Sequence, residues 1–381
     1  MASAATVTNY LLTQKKTNDK ELAEEWTKLE DLYTEKLWNE LTINLITFVK
    51  HDSLQTEESQ LQLYKDFISS FETKINPYGL VEILEPLVHL ISEKEEAINF
   101  LEKLLTKVQS CDEAKWYIQV LEGEIYLNHL NNLEKAKKIV EDVQKCLDEA
   151  GNVTPIHGRF YKLAAQYHRR MGQHSDYYRC SLQFLGCSLD EYPKDQWPQE
   201  ALFLGLAALL GERTYNIGEL LAHPILESLQ GTENEWVMEL LKAFNTGDVS
   251  KFLKMKPTWS KIPDLAAQEL KLRQKISLLC LMEMTFKRPP NKRSISFEEI
   301  AKDAQLPINE VELLIMKALA LDLVRGEIDQ VAGVVNMSWV QPRYLDRSQV
   351  KAMASTLDIW MQSITSMEQL MESKAGEILT N

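Results

Sequence analysis

The chain has 381 residues, 45% hydrophobic and 26% charged, which excludes a wholly disordered polymer and supports two or three packed domains. Its net charge of −14 argues against nucleic-acid binding, which draws on a surplus of Lys and Arg. The longest apolar run, ALFLGLAALLG at 201–211, falls short of a bilayer-spanning helix, and the N-terminus lacks the basic-then-apolar order of a signal peptide. Five widely spaced cysteines fit reduced thiols of the cytosol or nucleus.

Helical periodicity fills the first two-thirds. EAKWYIQVLEGEIYLNHL is one amphipathic segment and LEKAKKIVEDVQKCLDEAG the next, joined by a tight turn at Asn131-Asn132. The second segment carries Leu133, Ala136, Ile139, Val140 and Val143 as an apolar stripe and stops at Gly151. Further breaks fall at Gly172, Gly211 and Gly247, so the turns from Asn131 onward stand 41, 39 and 36 residues apart. That is the size of a helix–turn–helix repeat in an α-solenoid, where hairpins stack because none can bury its apolar face alone.

After Pro263 the stretch DLAAQELKLRQKISLLCLMEMTF reads as one continuous helix, ended by Pro289 and Pro290. Ser296 with Glu299 forms a capping box for the next helix, and Pro307 marks the start of another. That helix has Val311, Leu314, Ile315, Ala318 and Leu319 on its core face. From Leu323 the period changes to two. Val324, Gly326 and Ile328 share one strand face, DQVAG turns the chain, and Val335, Met337 and Trp339 share a face of the return strand. Helix, turn, helix and hairpin make a winged helix.

Winged helices often grip DNA through the second helix. Between Ser294 and Val340, however, eight acidic residues face three basic ones, Lys302, Lys317 and Arg325. The face of the second helix opposite its core carries Glu312, Leu313, Met316 and Lys317, a mixture suited to a protein partner. KRPPNKR is the one basic cluster and reads as a solvated loop, with nuclear import or nucleic-acid contact as the alternatives. No phosphate-binding glycine loop, nucleophile elbow or zinc-protease motif occurs, so no catalytic, cofactor-binding or metal residue is assigned and no cofactor is expected. His168, His174, Cys180 and Cys187 lack ligand spacing and, with Tyr177 and Tyr178, read as hairpin packing.

Beyond QPRYLDR, which reads as a short linker, Val350, Met353, Leu357, Trp360, Ile364, Met367 and Met371 alternate spacings of 3 and 4. This heptad seam either folds back on its own chain or joins helices of other chains; the second is the reading taken here.

The stretch SISFEEIAKDAQLPINEVELLIMKALALDLVRGEIDQVAGVV resembles the PCI domain, a family of subunits of the proteasome lid, the COP9 signalosome and a eukaryotic translation initiation factor. Asp322 stands where the family often has Gly at the helix exit, a position Asp tolerates. ISLLCLMEMTFKRPPNKRSISFEEIAKDAQLP, NPYGLVEILEPLV and the total length extend the resemblance to the lid branch of that family over essentially the whole chain. The resemblance implies a mainly α protein: a TPR-like α-solenoid over 1–172, a PCI domain over 173–342 with helical part 173–264 and winged helix 265–342, and a terminal bundle helix over 343–381. It implies a non-catalytic scaffold in a hetero-oligomer of the cytoplasm and nucleus. Its partners would be PCI-containing and metalloprotease-fold lid subunits, with no nucleic acid and no membrane. It adds Gly326, Ile328, Asp329 and Gln330 of the wing to the expected partner contacts. A scaffold of another PCI complex and a nucleic-acid-binding regulator are the competing readings.

Overall fold

A computed structural model describes residues 4–14, 20–51, 54–187, 194–289, 292–345 and 347–379. The chain divides into two compact units, Met1–Glu191 and Tyr192–Asn381.

The first unit is a solenoid of helical hairpins. It begins with α1 (Ala4–Gln14), α2 (Lys20–Thr34), α3 (Trp38–Phe48), α4 (Glu57–Asp66) and α5 (Pro77–Leu90). It continues through α6 (Lys94–Lys107), α7 (Asp112–Asn128), α8 (Leu133–Ala150), α9 (Ile156–Met171) and α10 (His174–Cys187). The turn between α7 and α8 forms at the two asparagines. Asn131 takes a φ of 50°, and Asn132 Oδ1 accepts the Lys135 N–H at 3.2 Å. Ala136, Val140, Val143 and Leu147 of α8 are buried, whereas Leu133 is exposed at the helix start and Ile139 is half-buried. Gly151 and Gly172 end α8 and α9 in the left-handed conformation. α10 packs back on α9. Tyr177, Tyr178 and Cys180 are buried in that hairpin.

The second unit opens with α11 (Trp197–Leu210), α12 (Gly218–Ala222), α13 (Glu235–Thr246), α14 (Val249–Lys254) and α15 (Lys256–Trp259). α16 (Pro263–Ala267) and α17 (Glu269–Lys287) follow. The stretch expected as one helix after Pro263 is therefore two, broken at Gln268, which leaves helical geometry at φ −109° and ψ 21°. Gly247 ends α13 at φ 67°, and a Cβ there would lie 2.5 Å from Cys280 Cα, so this turn sits directly against the α17 backbone. Lys275 of α17 is buried, and its Nζ donates to the carbonyls of Ala208 (2.6 Å), Leu209 (3.2 Å) and Gly211 (2.7 Å), closing the C-terminal end of α11.

The winged helix comprises β1 (Ser294–Ser296), α18 (Phe297–Ala304), α19 (Ile308–Ala320), β2 (Val324–Asp329) and β3 (Val334–Val340), built on α17. The strands form an antiparallel sheet in the order β1-β3-β2. β1 has too few residues to show a period and was not anticipated. Last comes α20 (Arg347–Leu379).

Candidate functional site

The winged helix is set by its caps. Ser296 Oγ accepts the Glu299 N–H at 3.3 Å and starts α18. Pro307 is the N-cap of α19, and Asp322 leaves that helix at φ 52°, where its carboxylate takes both Nε and Nη2 of Arg325 at 2.9 and 3.0 Å. Val311, Leu314, Ile315 and Ala318 are buried, and Leu319 is half-buried. The opposite face is open: Leu313 is 64% exposed and Met316 52%. Lys317 Nζ donates to Gln274 Oε1 at 2.7 Å, and Gln330 Nε2 donates to Glu312 Oε2 at 3.2 Å, tying the wing tip to α19.

The wing departs from simple alternation. Arg325 pairs with Trp339 and Gly326 with Met337, so one extra residue bulges out of β3. The bulge turns Trp339 away from the face of Val335 and Met337, contrary to the expected shared face, and the Arg325 guanidinium lies 4.6 Å from its ring centroid. Gly326 is required by this approach, since a Cβ would stand 2.4 Å from Asn336 O. Gly326 and Asp329, whose Oδ1 accepts the Ala332 N–H at 3.0 Å, thus shape the wing, while Ile328 is half-buried opposite Val335.

The basic loop is largely occupied. Lys287 pairs with Glu283 at 3.5 Å, Arg288 with Glu299 and the Ser294 carbonyl, and Arg293 with the Ser338 carbonyl at 3.1 Å. Among its four cations only Lys292 shows no such partner among the described residues, so the cluster's main work is to hold the wing.

The segment after the wing is not a free linker. Gln341 N donates to Leu323 O at 2.8 Å, and Tyr344 N to Asn216 Oδ1 at 3.0 Å. Arg343 reaches the Asn245 carbonyl at 3.2 Å and forms an ion pair with Glu283 in which both side chains are only 11% exposed. Gly218 leaves room for this strap: a Cβ there would lie 3.0 Å from Tyr344 Cβ. These contacts join residues far apart in the sequence, and no local pattern announces them.

The strap fixes where α20 starts, and α20 is bare. Val350, Met353, Leu357, Trp360, Ile364, Met367 and Met371 are 50–64% exposed, and every described side chain from Val350 to Lys374 lies open. Ile359, Met361 and Leu370, outside the seam, are exposed as well. Among the described residues no group of His, Cys, Asp or Glu converges to hold a metal ion, and no helix is long and apolar enough to cross a membrane.

Residues 25–241 match the family described as PSD13 N-terminal repeats, and residues 251–339 match the PCI domain. The chain is 36% identical over 384 residues to 26S proteasome non-ATPase regulatory subunit 13 homolog A of Arabidopsis thaliana, covering 97% of this chain and 98% of that protein. It is 34% identical over 368 residues to 26S proteasome regulatory subunit RPN9 of Saccharomyces cerevisiae, with 92% and 93% covered. Similarity to eukaryotic translation initiation factor 3 subunit M of Dictyostelium discoideum is weaker, 24% over 380 residues with 96% and 82% covered.

Proposed function

The chain belongs to the family of the 26S proteasome non-ATPase regulatory subunit 13, and from that premise we propose that it is a structural subunit of the regulatory-particle lid. It acts there in assembly and positioning for ATP-dependent degradation of ubiquitinated proteins, without turnover of its own. The observation that carries this role is the uncovered seam of α20. Seven large side chains at helical spacing stand in water, and burying each is worth about 1.5–3 kcal/mol. Other PCI-containing subunits and the metalloprotease-fold subunits of the lid are the partners that would cover them. The exposed Leu313 and Met316, with Glu312, Lys317 and the wing residues Gly326, Ile328, Asp329 and Gln330, form the second contact surface. Cytoplasm and nucleus are the compartments that follow from this role.

The test is to tag the chain, recover it from cell extract at physiological salt, and identify its companions on a sizing column by mass spectrometry. Elution in a very large complex with proteasome ATPases and peptidase activity is expected. Recovery with other PCI subunits and no proteasome component would move the chain to a different PCI assembly. Elution of the free 43.9 kDa chain would overturn the scaffold role.

A further inference from the structure

Two cavities share a wall on the open side of α17 and α19. The first, of 630 Å³, is lined by Leu270, Leu306, Leu313 and Leu314, with Arg273 and Glu310 as a further cation and carboxylate on its wall. The second, of 390 Å³, lies beside the C-terminal end of α11 and is lined by Arg213, Lys271, Lys275 and Lys317 with one carboxylate, Glu212. Gln274 and Lys317 border both.

The cations are not all accounted for internally. Lys275 is committed to three carbonyls at the end of α11, those of Ala208, Leu209 and the C-cap Gly211. Lys317, in the last turn of α19, complements that helix's dipole and bonds to Gln274. Lys271 meets Glu212 at 2.8 Å, an exposed pair of little intrinsic worth. Arg213 has no ion-pair or hydrogen-bond partner among the described residues. Lys271, with Arg213 and Lys317 also near, holds the Glu212 carboxyl below the usual carboxylate range. Three cations therefore crowd one carboxylate, on a chain whose net charge is −14. Next to them Leu270 is 72% exposed, with no side chain covering it.

We propose that this paired cavity docks a protein segment presenting an apolar side chain beside two or more carboxylates, the apolar group entering between Leu270 and Leu313 and the carboxylates meeting Arg213, Lys271 and Lys317. The partner follows from charge complementarity: the surplus is positive, and it adjoins an apolar pit rather than a track that could follow a phosphate backbone. The proposal rests on the scaffold role above, in that the segment belongs to another subunit of the same assembly. It extends the expected α19 surface to Arg213, Leu270 and Lys271, which lie on other elements and carry no shared sequence pattern.

The assembled complex is treated with a water-soluble carbodiimide, which couples a lysine amine directly to a carboxylate in contact with it, and the cross-links are mapped by mass spectrometry. Lys271 or Lys317 is expected to join an Asp or Glu of another subunit, with a leucine-like residue within about four positions of it, one helical turn. In parallel, the full-length Arg213→Glu/Lys271→Glu chain is expected in the complex at about one-tenth of the wild-type yield. Cross-links of both lysines to Glu212 alone, or undiminished incorporation of the charge-reversed chain, overturn the proposal. Binding of single-stranded RNA at physiological salt, lost in the same variant, would overturn it in favour of nucleic acid. The companions recovered score the function separately: the expected cross-link inside a different assembly keeps the surface and rejects the proteasome, and a free chain rejects both.

Discussion

α8 and α20 carry the same sequence signal and meet opposite fates. Each places apolar residues at intervals of three and four. In α8 the residues Ala136, Val140, Val143 and Leu147 are covered by neighbouring helices of the same unit. In α20 no seam residue is less than 50% exposed. An apolar stripe states that a face must be covered and leaves open by what. α8 sits between hairpins that arrive by short turns, so its cover is local. α20 follows a strap fastened to α12, α13 and α17, and is held out with its seam free. The uncovered helix is the one that, under the proposed role, another chain would cover.

The strongest way to break this contrast is to remove the seam's apolar character. The double substitution Leu357→Asp/Trp360→Asp puts two carboxylates in the middle of α20. Incorporation into the large complex is expected to fall more than about tenfold, since two buried charges cost several kcal/mol and each 1.4 kcal/mol is a factor of ten. The melting temperature of the isolated chain is expected to stay unchanged because the seam covers nothing in cis. Thermal denaturation and quantitative recovery of the complex check both halves, and a large loss of melting temperature would place the seam against its own chain.

The strap sharpens the contrast from the other side. Arg343→Ala strips the nearly buried Glu283 of its less exposed cation and leaves only the largely exposed Lys287 at 3.5 Å, at a cost of up to about 3–5 kcal/mol. Urea denaturation of the second unit's transition checks this. Arg343→Glu combined with Glu283→Arg is expected to recover part of the loss. If the strap is a mere tether, Arg343→Ala leaves the transition where it was.

What was legible in the sequence divides along the same line. The turn at Asn131-Asn132, the stops at Gly151 and Gly172 and the N-cap half of the capping box at Ser296 showed, because each is a local choice of backbone conformation; the Glu299 carboxylate, expected to complete the box, pairs with Arg288 instead. The open face of α19 showed as well, since Leu313 and Met316 lie off a stripe already complete. The strap did not show: Arg343 meets Glu283 and Asn245 only through the fold, and a polar run after a proline reads as linker. Trp339 was turned the wrong way because a one-residue bulge inverts the side chains beyond it while leaving the alternation of residue types intact. The break at Gln268 escaped for a related reason, as nothing in that residue's type forbids a helix. The basic cavity was out of reach because Arg213 and Lys271 come from separate elements.

The smallest effect tests what holds α8's unit together where α20 has nothing comparable. Glu85 of α5 accepts the Tyr117 hydroxyl of α7 at 2.8 Å and pairs with Arg159 of α9, whose guanidinium lies 4.8 Å from the Tyr117 ring centroid. Burial works to raise the Glu85 carboxyl, yet His89 at 3.9 Å and the bonds from Arg159 and Tyr117 hold it at about 2, below its ordinary 4.5. Because the folded state favours the ionised form, the stabilisation is complete above pH 4.5 and drains away as pH falls toward about 2. Glu85→Gln is expected to remove on the order of 2 kcal/mol at neutral pH and to flatten the fall in stability across that acid window. Urea midpoints of the first unit's transition, taken at intervals from pH 7 to pH 2 for both chains, measure it. Parallel curves would mean that the three helices are joined by apolar packing alone, and the contrast with α20 would then rest on burial without any contribution from charge.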